Sequence, residues 1–269
     1  MDKMIADFRA ECVALSDLLV GLPDEDWRRA TAFFDWSVAD EVMHLHLVDD
    51  FGLVALTTPD AFPALVAEVR DGQANGIELS QRMRERYAAL APKDLLAAWT
   101  AGWERLVETF GRRPADDRIP WFGPDMSVGA FAAARQMEVW AHGQDVFDLL
   151  GVRRANSDRI RAICELGVKT QGWSFRNRGL ERPSAPQVRL EAPSGAVWTW
   201  NEGASEQITG QAEDFALVVT QRRHVDDTGL KVEGVGARAW MEIAQCFAGA
   251  PETGPAAGVR RVDYAQGRA

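Results

Sequence analysis

Through the first 150 positions the apolar residues recur mostly at steps of three and four. From about Lys3 to Leu22, residues Ile5, Phe8, Cys12, Leu15, Leu18 and Leu19 follow that step and predict an amphipathic helix. Pro23 and Asp24 end it, and Asp24 to Trp27 reads as a short turn. The run Asp35-Trp36-Ser37-Val38-Ala39-Asp40 leads into a second helix reaching about Leu56. Ser37 or Asp35 can cap its free amides, and Asp40 and Glu41 suit its positive end. Pro59 and Pro63 mark a break, followed by a helix from about Ala64 into the 71–76 region and another piece through Met83 and Tyr87. Pro92 opens a clearer helix to Phe110, striped by Leu95, Trp99, Trp103, Leu106 and Phe110 and stopped at Gly111. Pro114, Pro120, Gly123 and Pro124 make the next linker a constrained loop around Trp121 and Phe122. Ser127 then caps a helix from Val128 to Leu150, closed at Gly151.

Beyond Gly151 the period shortens. One more helix, about Ser157 to Gln171, precedes short strands at Val188–Leu190 and Val197–Trp200 around the turn Pro193-Ser194-Gly195, with Ile208-Thr209 as a third. Asp214 to Thr220 and Ala237 to Phe247 read as helices, and the Gly- and Pro-rich tail after Pro251 as a surface segment. The expected fold class is α followed by α/β: a four-helix bundle over 1–151 with an insertion after its second helix, then a small α/β or α+β domain over 152–269.

Composition narrows the function classes. The 269 residues carry a formal charge of −10, which repels nucleic-acid phosphates and anionic lipid over most of the surface. No apolar run reaches membrane-spanning length, and Met1-Asp2-Lys3-Met4 lacks the basic-then-apolar opening of a signal peptide. The expectation is a cytoplasmic protein with neither nucleic acid nor membrane as partner; a monomer and a homodimer are both compatible with the sequence. Cys12, Cys164 and Cys246 are isolated in apolar segments and read as reduced, buried thiols.

Candidate chemistry gathers on two helices. Glu138 and His142 stand four apart and project from one helix face, which also carries Phe131, Arg135, Asp145 and Leu149. Burying a carboxylate, a guanidinium and an imidazole side by side costs several kcal/mol unless they are paired or bound to metal, and a cation would meet that cost. His44 lies in an otherwise apolar wall of the second helix. Two imidazoles and one carboxylate suit a divalent ion: zinc first, with nickel or ferrous iron also compatible. Asp145 can orient His142 as an outer partner or form an ion pair elsewhere. His46, about 200° around the helix from His44, reads as a surface or secondary group, and His224 as part of a solvated turn. Trp36, Trp121 and Trp140 flank the candidate segments and can wall a pocket.

The stretch from Asp35 to Leu45 resembles the tryptophan, aspartate and histidine-leucine signature of the DinB-like superfamily, more narrowly the mycothiol-dependent maleylpyruvate isomerase family. Arg135 to Asp145 is similar to that family's second signature. The resemblance implies a four-helix bundle holding a divalent metal, usually zinc, on His44, Glu138 and His142, followed by a small α/β (SCP2-like) domain. A looser likeness over Gly210 to Arg222 implies an arginine near the active cleft at Arg222, although Gln221 stands where a glycine is usual. The narrower subgroup, sometimes labelled as wyosine-base-formation domains, implies a metal site without a defined activity.

What the resemblance implies is a metal-dependent enzyme that uses a low-molecular-weight thiol such as mycothiol to isomerise, or transfer sulfur to, a small electrophile. Arg222 would hold a carboxylate of substrate or thiol, Trp36 and Trp121 would line the thiol site, and Asp145 would serve the chemistry. Two alternatives stand beside it. One is a metal-dependent hydrolase of a small amide or ester with Asp145 or Asp49 as proton acceptor; the other is a non-catalytic metal- or ligand-binding protein.

Overall fold

Ser37 is the residue that starts the second helix. In the computed structural model, which describes residues 1–260 and 262, its hydroxyl accepts from the Asp40 amide while the Asp40 carboxylate accepts from the Ser37 amide. This reciprocal box caps α2 (Val38–Thr57). Asp35, the other candidate cap, is held instead in a left-handed conformation with φ 55°.

The chain divides into two compact units, Met1–Leu149 and Leu150–Ala269. In the first, α1 (Asp2–Val20), α2, α5 (Pro92–Phe110) and α6 (Val128–Leu150) are the long helices of the bundle. The predicted stripes are the buried ones: Phe8, Cys12, Leu15 and Leu19 on α1, and Leu95, Trp99, Trp103, Leu106 and Phe110 on α5. The insertion after α2 is two helices, α3 (Phe62–Ala74) and α4 (Leu79–Tyr87), with Arg84 of α4 bonded twice to Asp40. Inside the linker expected to be a loop lies a two-residue antiparallel pair, β1 (Arg118–Ile119) with β2 (Met126–Ser127). Trp121 and Phe122 between them pack on Phe51, Phe62 and Phe131.

Helices α2 and α6 meet along four rungs that run in opposite senses, so the two are antiparallel. Glu41 meets His142, His44 meets Glu138, Asp49 meets Arg135, and Gly52 lies under the Phe131 ring. A Cβ at Gly52 would fall 2.4 Å from that ring, so the close approach requires glycine there. The third rung is wholly buried. Arg135 Nε donates to Asp49 Oδ1 at 2.9 Å, Trp99 Nε1 donates to Oδ2 at 3.1 Å, and Arg135 Nη2 donates to the Leu45 carbonyl. Burial pushes the Asp49 carboxyl up to about 6, against the pull of Arg135 and Trp99.

The second unit begins with α7 (Arg161–Lys169) and α8 (Gln171–Arg176), two helices where one was expected. Its sheet has the order β4-β3-β5-β6, built from β3 (Gln187–Glu191), β4 (Val197–Trp200), β5 (Gln207–Gln211) and β6 (Lys231–Glu233). β3 pairs parallel with β5, and the other pairings are antiparallel. β6 was not anticipated, because three residues with one half-buried valine carry no usable alternation. Val188, Leu190, Trp198 and Ile208 turn inward with Phe215, Ala216 and Val219 of α9 (Ala212–Val219); α10 (Val235–Ile243) completes the unit. Residues 251–260 are irregular and largely exposed; of the rest of the predicted surface tail only 262 lies within the described residues.

The end of α9 explains the residue before Arg222. The Arg222 amide donates to the Leu217 carbonyl and the Gln221 amide to that of Val218, the paired bonds of a Schellman cap. Such a cap needs a left-handed residue, usually glycine, and Gln221 fills the position at φ 60°. Its side-chain amide compensates by donating to the carbonyls of Ala244 and Glu252.

Among the described residues no single helix is long and apolar enough to cross a membrane.

Gln221→Gly and Gln221→Ala both lose the two side-chain bonds, but only glycine releases the backbone strain, so by denaturant unfolding the glycine variant should be the more stable by about 1 kcal/mol. Equal stabilities would show that the left-handed conformation is not held in solution. For the buried pair, Arg135→Met or Asp49→Asn alone should each cost about 3–5 kcal/mol, while the double variant, which keeps an acceptor for Trp99, should recover most of that loss. The folded chain also holds the Asp49 proton more tightly than the unfolded chain, whose carboxyl titrates near 3.8. Relative to the double variant, the natural protein should therefore lose stability as pH rises through the window from 3.8 to about 6.

Candidate metal centre

His44 projects from the second turn of α2, and Glu138 and His142 from successive turns of α6. His44 Nε2 lies 3.2 Å and His142 Nε2 3.3 Å from the same oxygen, Glu138 Oε2, and the two imidazole centroids are 4.4 Å apart. Two atoms bound tetrahedrally at about 2.0–2.1 Å from one ion are about 3.3 Å apart, so both spacings match edges of a zinc-like coordination shell. The site is partly exposed: the His142 side chain is 6% exposed, that of His44 15% and that of Glu138 23%. Burial pushes the Glu138 carboxyl up, but the His142 and His44 hydrogen bonds outweigh it and hold the group well below the usual carboxylate range.

Proton accounting at His142 strengthens the case for a cation. On the far side of the ring, Nδ1 lies 2.7 Å from Oε2 of Glu41, a carboxylate with no exposed surface. A neutral imidazole has one N–H. If Nδ1–H donates to Glu41, the Nε2 lone pair points at the Glu138 carboxylate, which is repulsive unless a cation sits between them or the ring carries a second proton. A divalent ion resolves the repulsion while keeping Nε2 as a ligand. Glu41, His142 and Asp145 form a second cluster, and the ligating atoms of each cluster lie within 4.8 Å of one another.

A tight hairpin supplies the wall. Ala30 bridges Ser37, and the turn inside it is closed by the Trp36 amide donating to the Phe33 carbonyl at 2.9 Å. Its central residues, Phe34 and Asp35, have φ of 49° and 55°, the sign pattern of a type I′ turn, built here without glycine. The turn stacks Trp36 on His142 at 5.9 Å, tilts it against His44 at 5.4 Å and sets Phe33 edge-on to His142 at 5.0 Å.

The other expected residues fall in different places. Trp121 belongs to the Phe62, Phe122 and Phe131 cluster rather than to the rings around the triplet, and Trp140 is core. Asp145 is buried beside Glu41 and His142, but the short bond to Nδ1 belongs to Glu41, a residue read from the sequence only as a helix-end charge. Asp49, the alternative proton acceptor, is committed to Arg135 and Trp99. Arg222 lies in the second unit, buried, with Nη1 donating to the Thr220 carbonyl at 2.7 Å. His46 is half-buried against Tyr87 rather than on the surface, and His224 caps the turn at Val225–Asp227 through Nδ1. All three cysteines are buried thiols, and burial pushes those of Cys12 and Cys164 up.

Thr31, Phe33 and Glu41 were missed as site residues. Thr31 and Phe33 lie in an aperiodic loop, and Glu41 in a helix's first turn looks the same whether it faces the macrodipole or a histidine on another helix.

The family model for the mycothiol maleylpyruvate isomerase N-terminal domain matches residues 8–147, which span both helices of the triplet. The chain belongs to this family, within the DinB-like superfamily. It is 38% identical over 252 residues to two uncharacterized proteins of Mycobacterium tuberculosis, Rv0036c of strain H37Rv and MT0041 of strain CDC 1551, covering 93% of this chain and 97% of each. Two crystal structures of the mycothiol-dependent maleylpyruvate isomerase, one a histidine-to-alanine mutant, share the fold with TM-scores of 0.53 and 0.51. Each is 13% identical and covers 86% of this chain and 92% of the other. The DinB-like helical bundle followed by a small sheet-containing domain is thus a family architecture.

Proposed function

We propose that this protein is a divalent-metal-dependent enzyme that uses a low-molecular-weight thiol, mycothiol or one like it, for isomerisation or S-transfer on a small electrophile. The observation that carries the reading is the convergence of His44 Nε2, Glu138 Oε2 and His142 Nε2, with Glu41 2.7 Å from the other His142 nitrogen. Three protein donors in a partly exposed site are the pattern of a working site rather than a structural one. A divalent ion held there would supply Lewis acidity that favours the thiolate form of an incoming thiol.

The chain's own residues have three tasks. Glu138 and the two imidazoles supply a donor set of net charge −1. Phe33 and Trp36 screen the His142 ring from water. Glu41 fixes the ring's orientation. The nucleophilic sulfur must come from outside, because the chain's own thiols are buried and Cys12 and Cys164 are shifted against ionisation. In the isomerising version the thiolate adds to an electron-poor double bond as the π pair moves onto the conjugated acceptor. The new single bond rotates, and elimination returns both alkene and thiolate. Stopping after addition, or displacing a leaving group, is S-transfer. Family membership and the two solved isomerases support the thiol; the donor geometry supports the metal.

Protein purified without chelator should hold about one equivalent of divalent metal by elemental analysis, removable by chelation. His44→Ala and His142→Ala should weaken binding by more than the roughly 10–100-fold that loss of an outer partner costs, measured by competition with a chromogenic chelator. Mycothiol added to the cobalt-substituted protein should produce a sulfur-to-cobalt charge-transfer band. A spectrum unchanged at saturating thiol would remove the thiol from the reading while leaving the metal.

A further inference from the structure

We infer that the buried Thr31–Glu41 pair is the positioning device of the metal centre: Glu41 accepts a hydrogen bond from His142 Nδ1–H, so that Nε2 presents its lone pair to the ion, and Thr31 holds Glu41 in place. The inference rests on the reading of His44, Glu138 and His142 as ligands.

Each Glu41 oxygen has a close partner. Oε2 lies 2.7 Å from His142 Nδ1, and Oε1 accepts the Thr31 hydroxyl at 2.7 Å. Both Glu41 and Thr31 are buried. A carboxylate without exposed surface is costly unless bonded, so its place beside a candidate ligand calls for a role. Helix geometry makes the role possible. Glu41 and His44 stand three apart on one face of α2, and Glu138 and His142 four apart on one face of α6. Helix α2 therefore contributes one candidate ligand and the residue that orients a ligand on α6.

The hairpin locks the arrangement from outside. The Thr31 amide donates to the Trp36 carbonyl at 2.7 Å, and the Phe33 amide donates to the Thr31 hydroxyl at 3.2 Å. The left-handed Phe34 and Asp35 are the conformational cost of bringing Thr31, Phe33 and Trp36 to one place. His44 offers the contrast: its buried Nδ1 has no hydrogen-bond partner among the described residues, so no carboxylate sets its tautomer. Control is concentrated on His142.

Glu41→Gln separates position from packing. The amide has nearly the same shape, but its NH2 can donate to Nδ1, which moves the ring proton to Nε2 and blocks coordination. Zinc affinity by chelator competition should fall roughly 10–100-fold, with a smaller loss in Thr31→Val and recovery in a conservative Glu41→Asp variant if it keeps the bond. On the metal-free protein, imidazole nitrogen NMR should show a proton on His142 Nδ1 in the natural chain and its loss from Nδ1 in Glu41→Gln, whatever the state of Nε2. A purely structural residue would lower the melting temperature and leave both readouts unchanged. Unchanged affinity together with a retained Nδ1 proton in a folded Glu41→Gln protein overturns the inference. If that variant does not fold, Thr31→Val decides, and affinity equal to that of the natural protein counts against the pair. A natural protein that binds no zinc sinks the metal reading instead; the NMR arm still tests Glu41.

Discussion

A single imidazole held between two carboxylates organises the first unit of this protein. His142 meets buried Glu41 through one nitrogen and Glu138 through the other, and a neutral ring can satisfy only one of them. The surroundings exclude most water, so the mismatch cannot be dispersed by solvent. Either a second ring proton or a cation on the Glu138 side relieves it, and the second histidine, His44, arrives at the same carboxylate oxygen. The family to which the chain belongs and the partial exposure of the triplet both agree with a cation.

The same requirement fixes how two helices lie on each other. The rungs Glu41–His142, His44–Glu138 and Asp49–Arg135 are polar, and the fourth replaces a side chain with the glycine that admits Phe131. Apolar stripes alone tolerate sliding by a turn, whereas a buried ion pair displaced by a turn leaves both charges unpaired at several kcal/mol. Arg135 and Asp49 therefore act as a register lock below the site. The donor spacing above them, 3.2 and 3.3 Å to the Glu138 oxygen, depends on that register.

In the second unit, the end of α9 is held by a left-handed residue. A Schellman cap needs a left-handed residue, and Gln221 accepts the strain because its amide finds two carbonyls. This sets the direction in which the chain leaves α9 just before the buried Arg222. Glycine would do so without strain but would lose the tie to Ala244 and Glu252.

Local patterning by itself determined the helical stripes of α1 and α5, the existence of α2 and α6, the choice of Ser37 or Asp35 as the cap of α2, three of the four strands of the sheet and the apolar setting of the cysteines, since each depends on residues within one or two turns. Candidate ligands were legible for the same local reason: Glu138 and His142 are one turn apart, and the signatures around His44 and His142 resemble a known family. Only the tertiary structure decided which charges face each other. Phe33 and Glu41 reach His142 across about a hundred residues of sequence, Thr31 holds Glu41 from the loop, Trp121 goes to a different aromatic cluster, and Asp49 is taken by Arg135. Such pairings depend on the relative rotation and register of two helices and on a glycine-free turn with positive φ, and neither leaves a periodic trace in the chain.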